Sequence, residues 1–504
     1  MKKNDISSEN LSKLAFEGSA YNLVSLIVNK FGGLIFTIIL ARMLLPELFG
    51  IYALVFSIVT LAMAFTDLGI DNTFLRYLSA SLGKNDKKLS RGYFKYITKI
   101  KSILIIISVV GLLLLSKFLS YNIYENPLLF YPIIFACLFI ISESIRSFLG
   151  NMFIAIKDFK SPVFFEMGLQ ISKIFFSIFA ILILTDPLKI SGVFIAFFIS
   201  SFFSLILVFF ALFKKENYIF KGETKSFKKS KINNYWKYMV FASVSLAFFG
   251  SIDILMLGKF VAVEYLGYYR VSLSLILTIA SLFSLSTIFI PIFTQINNKR
   301  FKRGFHKTLR YILLLSIPAT LGISFVGKYL IKAVYGNEYL LGAISLYFLS
   351  LLVITTPLIG LYSMIFQSKE KPKIVSNAVL VSLIMNIFFN ILVIFLFKNH
   401  PLFIIGGVGL ATSLSRVLLL GLLIFHAKRE FNFRVMGIGL RTPLFATFIM
   451  ALFLFVFNYF VNMSLLLGVI EVLLGAAIYI GALIWIKGIK KEDWILIKSL
   501  FRRR

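Results

Sequence analysis

Three cations stand deep inside apolar sequence: Lys30 in LVSLIVNKFGGLIFTII, Lys173 in GLQISKIFFSIFAILI and Arg416 in GLATSLSRVLLLGLLIF. A lysine supplies a point charge, and an arginine supplies a planar fork that grips two phosphate oxygens. Gathered around one wet space, the three would attract an anion such as a phosphate. The competing reading is that each is neutralised by an acid on a neighbouring run. Acids at comparable depth are Glu143, Asp253 and Glu471; the acids Asp67 and Glu166 and the base Arg146 lie nearer the inner boundary. Glu143 and Arg146 are three residues apart on one helix face, the spacing of an internal ion pair. Asp253 and Glu143 are also candidates to bind a coupling proton or sodium ion, because a carboxylate at membrane depth is costly unless it serves a function. No pattern points to catalysis or to a cofactor. His306, His400 and His426 are scattered and Cys137 stands alone, so no metal site is expected. There is no GxxxxGK[ST], zinc-finger or RNP-type pattern, which sets ATP and nucleic acid aside.

Charged groups at such positions need elements that carry them through lipid. The chain of 504 residues is 59% hydrophobic and 15% charged, with a mean hydropathy of +0.91. Soluble domains are about 45–50% apolar and about 25% charged, so this is an all-α polytopic membrane protein in expectation. Runs of the length of a membrane span centre near Lys30, Val59, Ser108, Phe139, Lys173, Phe203, Phe249, Ile279, Ala319, Ile354, Asn386, Arg416, Leu454 and Ala476, about fourteen helices in all. Runs so long cannot be barrel strands. The opening residues 1–17 read as an amphipathic lead-in rather than a cleaved signal. The formal net charge is +31. Of its 53 Lys and Arg, 25 cluster in alternate loops and the tail: Arg76–Lys101, Lys214–Lys237, Lys299–Arg310 and Arg502–Arg504. By the positive-inside rule these loops and both termini are cytoplasmic.

The chain also repeats itself. LARMLLPELFGIY at Leu40–Tyr52 returns as LGKFVAVEYLGYY at Leu257–Tyr269, so that a shift of 217 residues lays Glu47 on Glu264, Gly50 on Gly267 and Tyr52 on Tyr269. Weaker matches place Lys157 on Lys369 and Ser191-Gly192-Val193 on Gly406-Gly407-Val408 at similar shifts. Two equivalent six-helix bundles follow, related by an axis along the membrane normal. The expected organisation is an N-lobe over 1–213, a cytoplasmic linker over 214–237, a C-lobe over 238–430, and two further helices with a basic tail over 431–504. Arg42 and Lys259 are expected to snorkel to the outer boundary beside Glu47 and Glu264.

The stretch LARMLLPELFGIYAL and the following FTDLGIDNTFLRYLSASLGK resemble the amino-terminal signature of Wzx-type O-antigen and polysaccharide flippases. These belong to the multidrug/oligosaccharidyl-lipid/polysaccharide transporter superfamily. The resemblance runs over the whole length and extends to the two lobes and the short loops. It implies a transporter, not an enzyme, sitting in the cell membrane. Its cargo would be a polyprenyl-pyrophosphate-linked oligosaccharide, passed by alternating access from the cytoplasmic to the outer leaflet. It further implies polysaccharide assembly proteins as partners, with a proton or sodium gradient as a driving force. Lys30, Lys173 and Arg416 would then be the substrate-binding residues. A cation-coupled multidrug extruder of the same superfamily is the alternative, but cations at mid-depth favour an anionic cargo. A glycan polymerase or ligase would need catalytic groups on a sizeable outer loop, and the outer loops here are short.

Overall fold

A computed structural model describes residues 8–284, 298–369, 371–431, 441–460 and 465–488. The tail arginines Arg502–Arg504, the opening residues 1–7 and Glu370 lie outside them. The described chain is helical and holds no strand. Its helices are α1 (Ser8–Asp67), α2 (Ile70–Gly83), α3 (Lys87–Lys117), α4 (Phe130–Ala155), α5 (Lys160–Ile183), α6 (Asp186–Lys215), α7 (Lys229–Phe260), α8 (Val263–Leu282), α9 (Asn298–Tyr335), α10 (Ala343–Leu349), α11 (Leu352–Ser368), α12 (Pro372–Leu396), α13 (Pro401–Phe431), α14 (Arg441–Phe460) and α15 (Leu465–Trp485). Among the described residues eleven helices are long and apolar enough to cross a membrane, or up to twelve when the bent pair around α10 and α11 is one span. The count differs from about fourteen for two physical reasons. The last apolar helix is short where described, and α1 holds two segments in one.

That second point follows from the ring of Phe36, whose centroid lies 6.4 Å from that of Tyr52. Sixteen residues of straight helix would span about 24 Å. The chain therefore doubles back between them, at Leu45, whose φ of 59° and ψ of 172° break the helix before Pro46. The second copy of the repeat turns at the corresponding place, where α7 ends at Phe260 and α8 begins at Val263. Large apolar side chains face outward along the spans, as Leu114, Phe210 and Phe395 do. On a lipid-facing surface that exposure costs nothing, because the surrounding acyl chains are as apolar as the side chains.

The two turns also meet. α1 packs on α8, and the contact is reciprocal. A Cβ added to Gly50 would overlap the carbonyl oxygen of Val263, and one added to Gly267 would lie 2.5 Å from the carbonyl oxygen of Pro46. Val263 is the residue that the 217-residue shift lays on Pro46. Each glycine thus touches the partner's copy of the same residue, which is the mark of a two-fold relation. Only glycine allows backbones this close.

Further bonds tie the halves at this end. Arg42 donates from Nε to the Val334 carbonyl (2.8 Å) and from Nη2 to the Ala333 carbonyl (2.7 Å). These are carbonyls at the end of α9, where a helix has no acceptor partners of its own and attracts cations. Tyr339 donates to the Ala41 carbonyl at 2.8 Å. Lys259 pairs with Glu125 at 2.6 Å. Arg42 and Lys259 therefore bind the opposite half, whereas the sequence had suggested Glu47 and Glu264 as neighbours. The Lys259 hydrogen bond holds the Glu125 carboxyl below the usual glutamate range. A lowered carboxylate favours the paired state above its ordinary range and loses that effect as pH falls through the lowered value. Spin labels on the two halves should report a looser turn end on acidification, and Glu125→Gln should reproduce that loosening at neutral pH.

The opposite end is strapped by the segment expected to be a simple linker. Arg91 donates to the carbonyls of Tyr218 and Glu223, Lys225 pairs with Asp86 (2.9 Å), and Lys88 pairs with Glu223 (2.7 Å). The start of α7 continues the strap, with Trp236 Nε1 donating to the Leu68 carbonyl (3.0 Å) and Tyr77 donating to the Lys231 carbonyl (3.0 Å).

Candidate functional site

Asp253 is the most completely held of the sequence-derived candidates. It sits on α7 with 6% of its surface exposed. Tyr269 of α8 donates to Oδ2 (2.8 Å), Thr412 of α13 donates to the same oxygen (2.6 Å), and Asn390 of α12 donates to Oδ1 (2.8 Å). Asn386, one turn before Asn390, reaches Thr412 at 3.4 Å. Four helices thus converge on one carboxylate, and all the donors are neutral. Two oxygens of the cluster, Asn386 Oδ1 and Asn390 Oδ1, are buried without a hydrogen-bond partner. A buried amide oxygen left unpaired is costly. A carboxylate, two amide oxygens and a hydroxyl make a hard, oxygen-only donor set of the kind that suits a small cation.

Glu143 has a different setting. Arg146 holds it with both arms of a fork, Nε to Oε2 at 2.7 Å and Nη2 to Oε1 at 2.6 Å. Arg146 also reaches Glu166 at 3.4 Å. Glu166 accepts from Gln170 (3.0 Å), which in turn reaches Asn29 of α1 (3.2 Å). The chain of polar contacts links α4, α5 and α1. Lys173 lies within electrostatic reach of Glu143, Glu166 and Arg146, so two acids face two bases and the group is neutral overall.

The three mid-run cations are not in mutual contact among the described residues. Lys173 Nζ lies over the rings of Phe36 (5.1 Å) and Phe197 (4.7 Å), inside the first half. Arg416 places its guanidinium 4.0 Å from the centroid of Phe249, in the second half. Lys30 is exposed on α1, beside the Asn29 that joins α5. A fourth cation belongs with them. It is Arg270: α8 starts at Val263 and carries it two turns into the helix. There it crosses to the first half, with its guanidinium 5.4 Å from the ring centroid of Phe56. Arg270 and Arg416 share a feature: each has a buried Nε with no hydrogen-bond partner. Among the described residues no carboxylate lies within 4 Å of Lys30, Lys173, Arg270 or Arg416. Glu471, the last mid-depth acid, is fully buried and held by Asn458 at 2.5 Å.

With this geometry in hand, comparison with known proteins gives a consistent answer. The family described as polysaccharide biosynthesis protein matches residues 39–344. The chain belongs to that family. It is similar to the probable low-salt glycan biosynthesis flippase Agl15 of Haloferax volcanii, with 27% identity over 198 residues, 38% of this chain and 40% of that protein. The match thus spans less than half of that relative's length. Among solved structures, the lipid II flippase MurJ in an inward closed conformation aligns with a TM-score of 0.70 at 17% identity, covering 96% of this chain and 99% of MurJ. An inward-facing multidrug resistance transporter of the MATE family aligns with a TM-score of 0.60 at 12% identity, covering 82% of this chain and 95% of the transporter. At such identities the likeness establishes the fold of this polysaccharide biosynthesis family member and nothing finer.

Proposed function

We propose that this protein flips a polyprenyl-pyrophosphate-linked oligosaccharide from the cytoplasmic to the outer leaflet of the cell membrane by alternating access. The moving bodies are an N-lobe over 1–213 and a C-lobe over 238–430. The 214–237 segment joins them and is bonded to the N-lobe, 431–504 is an addition, and both termini are cytoplasmic. One observation carries the reading: Arg270 and Arg416 lie among aromatic rings of the membrane-embedded bundle, with no carboxylate within 4 Å among the described residues and with an unspent N–H donor each, Arg416 being within electrostatic reach of Asp253. A cation at membrane depth is tolerated where it serves a pathway. A pyrophosphate offers the planar oxygen pairs that guanidinium forks match. Arg270 spans the seam between the lobes, where an anion would be met from both sides. Lys30 on α1 adds a third positive group that the same headgroup could meet. The relative from Haloferax volcanii and the MurJ likeness fit a lipid-linked glycan as cargo.

The same reading places the coupling ion at Asp253, with Asn386, Asn390 and Thr412, and gives Glu143 to its Arg146 ion pair. Sodium fits the oxygen set. The ion would supply the positive charge that joins the two unpaired amide oxygens to the carboxylate, and so draw α7, α12 and α13 together. That oxygen set is the observation that favours the second reading, a multidrug extruder, since a cation-coupled extruder needs such a site. The buried arginines Arg270 and Arg416 oppose a cargo of organic cations.

The test is neutralisation of Arg270 and Arg416, singly and together, to glutamine. Loss of one charge-assisted contact should weaken binding of a short-chain polyprenyl pyrophosphate by about 10- to 100-fold. Surface polysaccharide should fall while protein level holds. Normal binding and normal polysaccharide in the double variant would refute the assignment.

A further inference from the structure

The repeat relates residues as well as turns. The 217-residue shift that brings Gly50 onto Gly267 lays Phe36 on Asp253 and Tyr52 on Tyr269. The match of Val193 with Val408 lays Phe197 on Thr412. Between the match of Lys157 with Lys369 at a shift of 212 and that of Val193 with Val408 at 215, the shift of 213 that lays Ile183, the end of α5, on Leu396, the end of α12, puts Lys173 on Asn386. The C-terminal cluster Asp253, Tyr269, Asn386 and Thr412 therefore has an N-terminal image: Phe36, Tyr52, Lys173 and Phe197.

The image is assembled in space. Phe36 lies 5.3 Å from Phe197 and 6.4 Å from Tyr52, and Tyr52 lies 6.3 Å from Phe197, centroid to centroid. The Lys173 ammonium stands over two of those rings. Where the second half gathers oxygens, the first half gathers aromatic faces. Both are surfaces for a cation, by charge and dipole in one case and by ring quadrupole in the other.

From this we infer that Lys173 is a tethered cation. Its ammonium occupies in the N-lobe the place that the coupling ion takes in the C-lobe, and Phe36 and Phe197 are its cage. The inference rests on the ion assignment made above for Asp253. Its consequence is asymmetry: the N-lobe carries its charge permanently and stays locked, so ion-driven change is confined to the C-lobe. Lys173 also balances Glu143, Glu166 and Arg146 to neutrality, so it is a positioning residue rather than a ligand for the anionic cargo.

The experiment uses the full chain in detergent or proteoliposomes, with thermal melting in sodium or choline and with affinity for a short-chain polyprenyl pyrophosphate. Lys173→Met should lower Tm by a few degrees in both salts and keep the sodium-dependent rise. Its affinity should stay within about twofold of the parent, and Lys173→Arg should restore Tm, since arginine also stacks on aromatic faces. Phe36→Asp combined with Lys173→Asn, Ser177→Asn and Phe197→Thr should add a second sodium-dependent rise, because it writes the carboxylate, both amides and the hydroxyl of the C-terminal donor set into the N-lobe. Lys173→Met with unchanged Tm and an affinity lowered as far as by Arg270→Gln would overturn the inference. Asp253→Asn separates the two readings. If it leaves the sodium response of the parent intact, the ion site falls, while the Lys173 comparison of Tm with affinity still decides the tethered cation.

Discussion

Gly50→Val is expected to break the closed contact at the turn end of the bundle. The added Cβ alone would overlap the Val263 carbonyl oxygen and stand 3.2 Å from the Gly267 nitrogen. Both are backbone atoms, so no side chain can swing aside. Either α1 and α8 separate or the contact is lost, at about 3 kcal/mol by the usual cost of overpacking. That shifts an open-to-closed ratio by about 100-fold. Gly267→Val should do the same from the other copy, since its Cβ would meet the Pro46 carbonyl at 2.5 Å. The controls come from the same repeat. Gly33 and Gly250 are also 217 residues apart, and an added Cβ meets nothing within 4 Å at either. Alanine there should be tolerated, or should stabilise its helix by about 0.5–1 kcal/mol. Distances between labels on the two halves, measured with thermal melting, distinguish the pairs. A closed turn end in Gly50→Val would show that the glycine crossing does not set the gate.

This contrast also shows why some of the molecule was readable beforehand. The glycine pair could be found because a steric requirement leaves one residue type, and one type at a fixed shift is visible in a single chain. The spans were visible because lipid demands long apolar runs. Arg270 was not visible. It follows closely on the turn at Val261 and Ala262, and only the start of α8 at Val263 carries it into the bundle. Asn386, Asn390 and Thr412 bear no charge, so nothing in an apolar run marks them; their meaning comes from convergence on Asp253. A helix spacing of four between the two asparagines was the one available signal, since it puts both amides on one face. The 214–237 segment looked like a tether because it is polar and basic. Its ion pairs with Asp86 and Lys88 depend on a tertiary approach that local sequence does not encode.

Asp253→Ala is the substitution with the other large expected effect, and two separate losses follow from it. First, the hydroxyls of Tyr269 and Thr412 and the amide of Asn390 all donate to this one carboxylate. Truncation strands three buried donors. At about 1–3 kcal/mol each, with partial repair by rotation and by the Tyr269–Thr412 contact at 3.4 Å, the destabilisation should reach about 3–5 kcal/mol. Second, the only anionic member of the donor set disappears, so sodium should no longer stabilise the protein. For an ion present at 100 times its Kd, that stabilisation is about 2.7 kcal/mol. Asp253→Asn separates the two losses. It keeps the shape and one acceptor oxygen, so most of the hydrogen bonding survives, whereas the charge is gone. The expected pattern is a modest fall in Tm for asparagine, a large fall for alanine, and a sodium response absent from both. A sodium-dependent rise that persists in Asp253→Asn would move the coupling ion away from α7 and leave the cluster a purely structural clamp.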